Sequence, residues 1–269
     1  MVSQISEASL LTDALRVVEE AKNKGIVLRI MGALAVRIHT ESLSTMHRKL
    51  ARLGNGNAEF TDIDLITYRS QREASHRLLV SLGYKADRLV MAYFGENRFA
   101  YDHPEKQYHI DLFFEKLQFS HDIDLGKIGK GRLEIDYPTI TVADLLLEKL
   151  QIHEINEKDI KDLIVLVRGH TLGEVNDNDA INMERLTSVL SEDWGFWYDA
   201  KANLEKVVDH CQVYLQQGLL RHEDILDITA KIGEIMNRIN EAPKSSNWLK
   251  RAKEGTAKKW WKDVEEIFR

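Results

Sequence analysis

The feature that most limits the fold of this 269-residue chain is a change in its hydrophobic period near residue 141. Before that point, apolar runs of strand length alternate with runs of helical period, and after it only helical periods occur. The strand-length runs are residues 26–30, 60–68, 89–94 and 108–114, with a hairpin predicted around 95–97. The pattern therefore predicts an α+β fold: a small mixed sheet flanked by helices, followed by an all-helical C-terminal region of four or five helices.

The most linker-like stretch of the chain is residues 173–179, which combines glycine with Asn and Asp. A prior of roughly 150 residues per domain allows one large domain or two in a chain of this length. We therefore predict a strand-containing domain over residues 1–172 and a helical domain over residues 173–269.

Composition excludes several classes of protein. The single cysteine, Cys211, rules out an internal disulfide framework and an all-Cys zinc site, and its helical run indicates core packing. A net charge of -6 argues against a polybasic nucleic-acid coat. No run approaches 18 apolar residues, and Glu7 and Asp13 stand where a signal peptide is apolar. We expect a cytoplasmic protein without a membrane partner.

The tail, residues 244–269, has the opposite charge, with eight Lys or Arg against four acids. Tryptophans interleave with these cations in the segment 258–262, which could bind nucleic acid through phosphate contacts and base stacking. The interpretation we favour is an amphipathic terminal helix with solvated cations. Its apolar face would carry Trp260, Trp261, Val264, Ile267 and Phe268.

Two aspartates lie one strand period apart in the run 60–68. Side chains alternate between the faces of a strand, so Asp62 and Asp64 project on the same side. Two such carboxylates repel unless a cation joins them, which favours Mg²⁺. The run 108–114 places Asp111 in the same alternation, so neighbouring strands would gather three acids, as metal-assisted phosphoryl or nucleotidyl transfer requires. The alternative is a solvated Asp-x-Asp pair at a strand end.

An upstream glycine strengthens the first interpretation. The sequence passes from a strand through Gly32 into a helix, where free amides can meet a phosphate and glycine allows close approach. By itself this is an ordinary strand-to-helix turn. It is neither a Walker loop nor a dinucleotide fingerprint, because the required Lys and further glycines are missing.

Four motifs in order resemble the nucleotidyltransferase (polymerase-β-like) superfamily, and most closely its bacterial branch related to abortive-infection and toxin nucleotidyltransferases. They are residues 32–39 (GALAVRIH), 62–65 (DIDL), 149–151 (KLQ) and 158–163 (KDIKDL). The resemblance covers about residues 10–170 and continues weakly through 193–197.

The resemblance implies that the sheet is of the nucleotidyltransferase type and that the chain transfers an NMP from an NTP. It implies two Mg²⁺ ions, with Mn²⁺ as an alternative, and an acceptor hydroxyl or phosphate on a protein, an RNA or a small molecule. Gly32 and the amide of Ala33 would hold the triphosphate. Asp62 and Asp64 would bind both metals, and Asp111 would complete the catalytic one and help to deprotonate the acceptor.

Lys149 is a candidate phosphate contact, although it could instead pair with Asp162 or extend along the helix surface. His121, Asp124 and Asp162 are candidates for a supporting role around the site. The flanks of residues 120–124 look like loops, which argues against a second metal pair there. His39, His109 and His153 lack the spacing of metal ligands and are expected to be structural.

Two departures from the family pattern keep other functions open. Ala33 offers no hydroxyl to the γ-phosphate, and residues 58–60 (AEF) stand where many relatives have an arginine. One alternative is therefore a catalytically weak or inactive nucleotide-binding regulatory module. Another is the toxin of a two-gene system, with a tRNA as acceptor.

Overall fold

The computed structural model describes residues 7–54, 60–105, 108–175 and 180–263. The sheet is built from β1 (Leu28–Met31), β2 (Asp62–Thr67), β3 (Lys85–Ala86), β4 (Arg98–Asp102) and β5 (His109–Phe114). Their spatial order is β1-β2-β5-β4-β3, and β2 runs parallel to β5 while the other neighbours are antiparallel. The sheet is therefore small and mixed, as the sequence predicts.

Helices cover the sheet and form most of the remaining chain before residue 171. They are α1 (Glu7–Asn23), α2 (Gly32–His39), α3 (Ser44–Leu50), α4 (Arg72–Ser81), α5 (Arg88–Phe94), α6 (Val142–Leu150) and α7 (Glu157–Gly169). Just before β5, Tyr108 donates a hydrogen bond to Asp13 of α1 (2.9 Å). Because Tyr108 shares its side of the strand with Ile110 and Leu112, α1 lies on that apolar face, and the acids project from the other face.

Side-chain caps fix the starts of α6 and α7. The Thr141 hydroxyl accepts from the Asp144 amide (3.2 Å) at the start of α6, and the Asn156 side chain accepts from the Asp159 amide (3.1 Å) at the start of α7. These are the side chains that best satisfy the free amides of a helix N-terminus. All nine residues of α6 are buried, so its charged residues lie inside the protein.

The C-terminal region is mainly helical: α8 (Met183–Leu190), α9 (Trp194–Gln216), α10 (His222–Glu241) and α11 (Ser246–Ala252). The α+β fold class, with a mixed sheet followed by helices, is thus confirmed. One buried core cluster includes Leu163 of α7, Leu186 of α8 and Leu204 of α9, so packing is continuous across the predicted boundary at residue 172. The division into two domains stays a prediction.

The run 89–94 is helical, so the predicted strand and the predicted hairpin around residues 95–97 are wrong. The Asp87 carboxylate accepts from the amides of Leu89 (2.9 Å) and Val90 (3.0 Å), which starts α5. The antiparallel neighbour of β5 is β4, a five-residue run that sequence periodicity did not reveal.

Strands also occur where the sequence predicts none. β6 (Lys116–Gln118) pairs with β7 (Asp122–Asp124), and β8 (Thr171–Gly173) pairs with β9 (Ala180–Asn182) after residue 141. The flank at 125–131, which contains the glycines read as loop-like, lies outside helices and strands.

The predicted terminal helix is wrong over residues 258–263, which are not helical, while Val264, Ile267 and Phe268 lie outside the described residues. No helix in the described ranges has both the length and the apolar character needed to cross a membrane.

Candidate functional site

Strand register brings the three predicted aspartates to one face of the sheet. Asp64 of β2 lies directly opposite Asp111 of β5, and Asp62 lies opposite His109. Neighbouring strands are about 4.8 Å apart, and residues in register share a face. The condition on which the site depended, that the two strands be neighbours, is therefore met. What each aspartate does there stays a prediction.

Gly32 brings the start of α2 against these acids. Its φ of +66° is in the left-handed region, which glycine adopts without strain. A Cβ at this position would lie 2.4 Å from Oδ2 of Asp64, so a side chain is excluded by contact as well. The Gly32 amide donates to Oε2 of Glu148 (3.2 Å), a buried carboxyl group on α6. The glycine predicted to hold the triphosphate thus lies beside Asp64, and its amide already has a carboxyl acceptor.

Asp111 has a cationic partner that the sequence did not reveal. Arg98 of β4 donates from Nε to Oδ1 (3.1 Å) and from Nη2 to Oδ2 (2.6 Å). Its guanidinium also lies 5.3 Å from the ring centroid of Phe113. Bidentate pairing of this kind fixes the orientation of a carboxylate, so Arg98 holds Asp111 in place on the sheet.

The electrostatic environment of Asp64 favours a cation. Burial raises the pKa of Asp64 well above its usual value, and the charges of Asp62, Asp111 and Glu148 raise this pKa further, while Lys149 lowers it. Its ionised form is therefore unfavourable unless positive charge joins it.

Asp62 and Asp64 carry carboxylate oxygens, the donors that Mg²⁺ takes together with water and phosphate oxygens, and their binding of an ion stays a prediction. In the part of the chain that the structure describes, this pair does not extend to a set of three ligands. Among the described residues, no set of three or more His, Cys, Asp or Glu side chains is placed to hold a metal ion. Since both oxygens of Asp111 accept from Arg98, the predicted third ligand and second ion stay predictions.

Lys149 lies in a buried network of charges behind the acids. Its Nζ lies 2.8 Å from Oδ1 of Asp159 and 3.1 Å from Oδ2 of Asp162, and Arg52 Nε donates to Oδ1 of Asp162 (2.8 Å). Burial alone would lower the pKa of Lys149, but Asp162, Asp159 and Glu148 outweigh that effect and raise it. The alternative pairing with Asp162 is therefore what the structure has, and the phosphate contact stays a prediction.

Arg52 connects this network to Asp62, the exposed acid of the pair on β2. Burial alone would lower its pKa, but nearby carboxylates raise it: Asp162 contributes most, and Asp159 and Asp62 add to the effect. Arg52 follows α3, whereas the family pattern has its arginine near residues 58–60. Of those, Ala58 and Glu59 lie outside the described residues. Arg52 thus provides a positive charge close to Asp62.

His121 and Asp124 have partners outside the group of acids. His121 is buried, lies 2.8 Å from Oδ2 of Asp199 through Nε2, and stacks on Phe196, while the exposed Asp124 accepts from the Gly126 amide (2.7 Å).

The supporting roles expected of His121 and Asp124 stay predictions. The three histidines expected to be structural have protein partners: His39 with the Ile140 carbonyl, His109 with Asp102, and His153 with Asp199.

Burial raises the pKa of Glu148 from 4.5 to about 7, although the charge of Lys149 and the hydrogen bond from Gly32 lower it. An acid whose pKa is higher in the folded state takes up a proton on folding. Its contribution to stability is therefore full below about pH 4.5 and is lost as the pH rises through about 7.

Glu148→Gln, which imitates the protonated acid, should remove this pH dependence. The free energy of unfolding of the wild type, relative to that of the variant, should fall by about 3 kcal/mol between about pH 4.5 and 7.5. Urea titrations across that range measure the difference. Glu154→Gln, at an exposed neighbouring position, is the control and should show a constant difference. A constant difference for Glu148→Gln as well would contradict the prediction.

Among the comparisons with known proteins, the one with solved structures gives matches. No family model matches this chain, and no curated protein matches it. The matching solved structures include an antigenic nucleotidyltransferase-like protein from Paracoccidioides brasiliensis, at 13% identity and a TM-score of 0.40. The match covers 91% of this chain and 98% of the other. Similarity at this level establishes neither a shared fold nor a shared activity.

Proposed function

We propose that this protein is a Mg²⁺-dependent nucleotidyltransferase that moves an NMP from an NTP to an acceptor. The observation that carries the proposal is the register of β2 and β5, which sets Asp64 opposite Asp111 with Gly32 against Asp64. The four sequence motifs support the same reaction, because the acids and the glycine are the residues that they assign to it.

Each residue has a defined part in the proposed reaction. Asp62 and Asp64 hold Mg²⁺, which neutralises phosphate charge and lowers the pKa of the acceptor hydroxyl when it is bound. The amides of Gly32 and Ala33 orient the triphosphate, and Lys149 and Arg52 supply positive potential behind it. The acceptor oxygen bonds to the α-phosphorus, pyrophosphate leaves, and the acceptor proton passes to Asp111.

The test is transfer of label from α-labelled ATP, CTP, GTP or UTP to pools of protein, RNA and small molecules. We expect labelling that requires Mg²⁺, stops on chelation and resumes when Mg²⁺ or Mn²⁺ is restored. The labelled pool identifies the acceptor class, and labelled tRNA would favour the toxin alternative. Labelling that persists with chelator would contradict the proposal. Since the reaction consumes NTP, we place it in the cytoplasm.

A second candidate function is a nucleotide-binding module without turnover. The contacts that favour it are the Glu148 carboxyl group on the Gly32 amide and the Arg98 pair on Asp111, which occupy groups needed for catalysis. Metal-dependent NTP binding by calorimetry, without labelling of any acceptor pool, would support the module over the enzyme.

A further inference from the structure

A cavity of about 540 Å³ lies between the α6–α7 connection and the C-terminal segment 258–263. Small-molecule sites usually have volumes of about 300–1,000 Å³, so the space suits a ligand of nucleoside size. Its walls are Phe119 and Ser120, residues 152–154 with Asn156, and Trp261 to Asp263.

Glu148 connects the cavity to the residues around the acids. Glu148 lines it and accepts the hydrogen bond from the Gly32 amide, and Gly32 in turn contacts Asp64. A ligand with phosphates beside Gly32 and Asp64 could therefore extend its remaining part past Glu148 into the cavity.

An aromatic wall of the cavity is held rigidly. The Trp261 ring stacks on His153 with centroids 3.7 Å apart and ring planes 12° apart. His153 Nδ1 lies 3.0 Å from Asp199, and Trp260 Nε1 donates to the same carboxylate (3.0 Å). The Lys262 amide donates to the Ser120 carbonyl (3.0 Å), which fixes the segment next to Trp261. The indole is thus a pre-positioned stacking surface.

The charge of the lining indicates which part of a nucleotide enters. Glu148, Glu154 and Asp263 are acids, and Lys262, the cation among the lining residues, pairs with Asp122. Such a lining repels phosphate and accepts hydrogen bonds from N–H groups. Aromatic side chains stack on any nucleobase.

We propose that this cavity binds the nucleobase of the NTP, with Trp261 as its stacking wall. The inference rests on the proposed function, because that function places the triphosphate at Gly32, Asp62 and Asp64. The base then lies past Glu148, among groups that accept from its N–H and amino groups.

Two kinds of ligand test the base site and the phosphate site separately. Adenosine, cytidine, guanosine and uridine carry no phosphate and report the cavity, whereas inorganic tripolyphosphate with Mg²⁺ reports the acids. We expect Trp261→Ala to weaken binding of the preferred nucleoside at least about tenfold, which corresponds to 1.4 kcal/mol of stacking, and to leave tripolyphosphate binding unchanged. Asp64→Asn should do the reverse. Calorimetry measures all four affinities.

Trp261→Phe keeps an aromatic ring and should bind nucleoside within about threefold of the wild type, which keeps the test valid if Trp261→Ala folds poorly. Trp248→Ala is the matched control, because Trp248 packs on Trp197 and does not line the cavity. It should bind like the wild type.

Several outcomes would overturn the inference while leaving the proposed function intact. These are wild-type protein that binds tripolyphosphate but no nucleoside, or Trp261→Ala that binds nucleoside normally. A Trp261→Ala variant with normal NTP affinity and a raised KM for the acceptor would instead make the cavity the acceptor site. If the protein binds nucleoside but neither binds tripolyphosphate nor transfers label, the proposed function is overturned, while the cavity remains a nucleoside site.

Discussion

Asp64→Asn should lower nucleotidyl transfer at least about 10³-fold, because the loss of a metal-holding carboxylate removes several kcal/mol of transition-state stabilisation. The same substitution should not lower the stability of the protein. Burial and three neighbouring carboxyl groups raise the pKa of Asp64 above its unfolded value, so its charge destabilises the fold at neutral pH. Label transfer and urea unfolding at about pH 8 measure the two effects.

The matched control is Asp102→Asn, at an exposed position on β4 where Asp102 pairs with His109. Its transfer rate should stay within about twofold of the wild type, since exposed ion pairs contribute little. Asp62→Asn should act like Asp64→Asn. Transfer by Asp64→Asn within a few-fold of the wild type would exclude the assigned role. A large loss of stability in that variant would point to a structural carboxylate instead.

The second large effect is expected on stability, from Lys149→Met. Removing this ammonium leaves Asp159 and Asp162 buried without it, while Arg52 still pairs with Asp162. Breaking a buried pair by removing one partner costs about 3–5 kcal/mol. We expect a loss of that size in the free energy of unfolding, measured by urea titration.

Lys158→Met, at the exposed second residue of α7, is the control and should change stability by no more than about 0.5 kcal/mol. Adding Asp159→Asn to Lys149→Met should recover part of the loss, because one uncompensated charge is then gone. If Lys149→Met loses less than about 1 kcal/mol while NTP affinity falls strongly, Lys149 is a ligand of the phosphates rather than part of the buried network.

The sequence predicts that Asp62 and Asp64 lie on one face of the sheet, because this depends on the alternation of side chains along a strand. A strand has a side-chain period of two, so Asp62 and Asp64 share a face whatever the neighbouring strand is. That Asp111 joins them depends on β2 pairing with β5, a contact between distant segments that the sequence only suggested.

The partners of the acids could not be predicted. Glu148 reaches the Gly32 amide across 116 positions of sequence, and no local pattern indicates such a contact. Arg98 belongs to β4, whose five residues show no clear alternation of apolar and polar side chains. The preceding helix, α5, is started by the Asp87 cap, but its apolar composition led to the prediction of a strand. A signal was available for α5: Asp87 precedes the apolar run with one residue between them, and an aspartate at the start of such a run is a helix-start pattern.

The close approach of Gly32 to Asp64, together with the Glu148 contact, has a consequence for how the chain acquires its site. The groups involved come from positions 32, 64, 111 and 148, and each meets the others only when distant segments pack. No short fragment contains them all, and opening any one of these segments would separate its group from the rest. A ligand that bridges these groups should therefore stabilise the packing of all the segments that supply them.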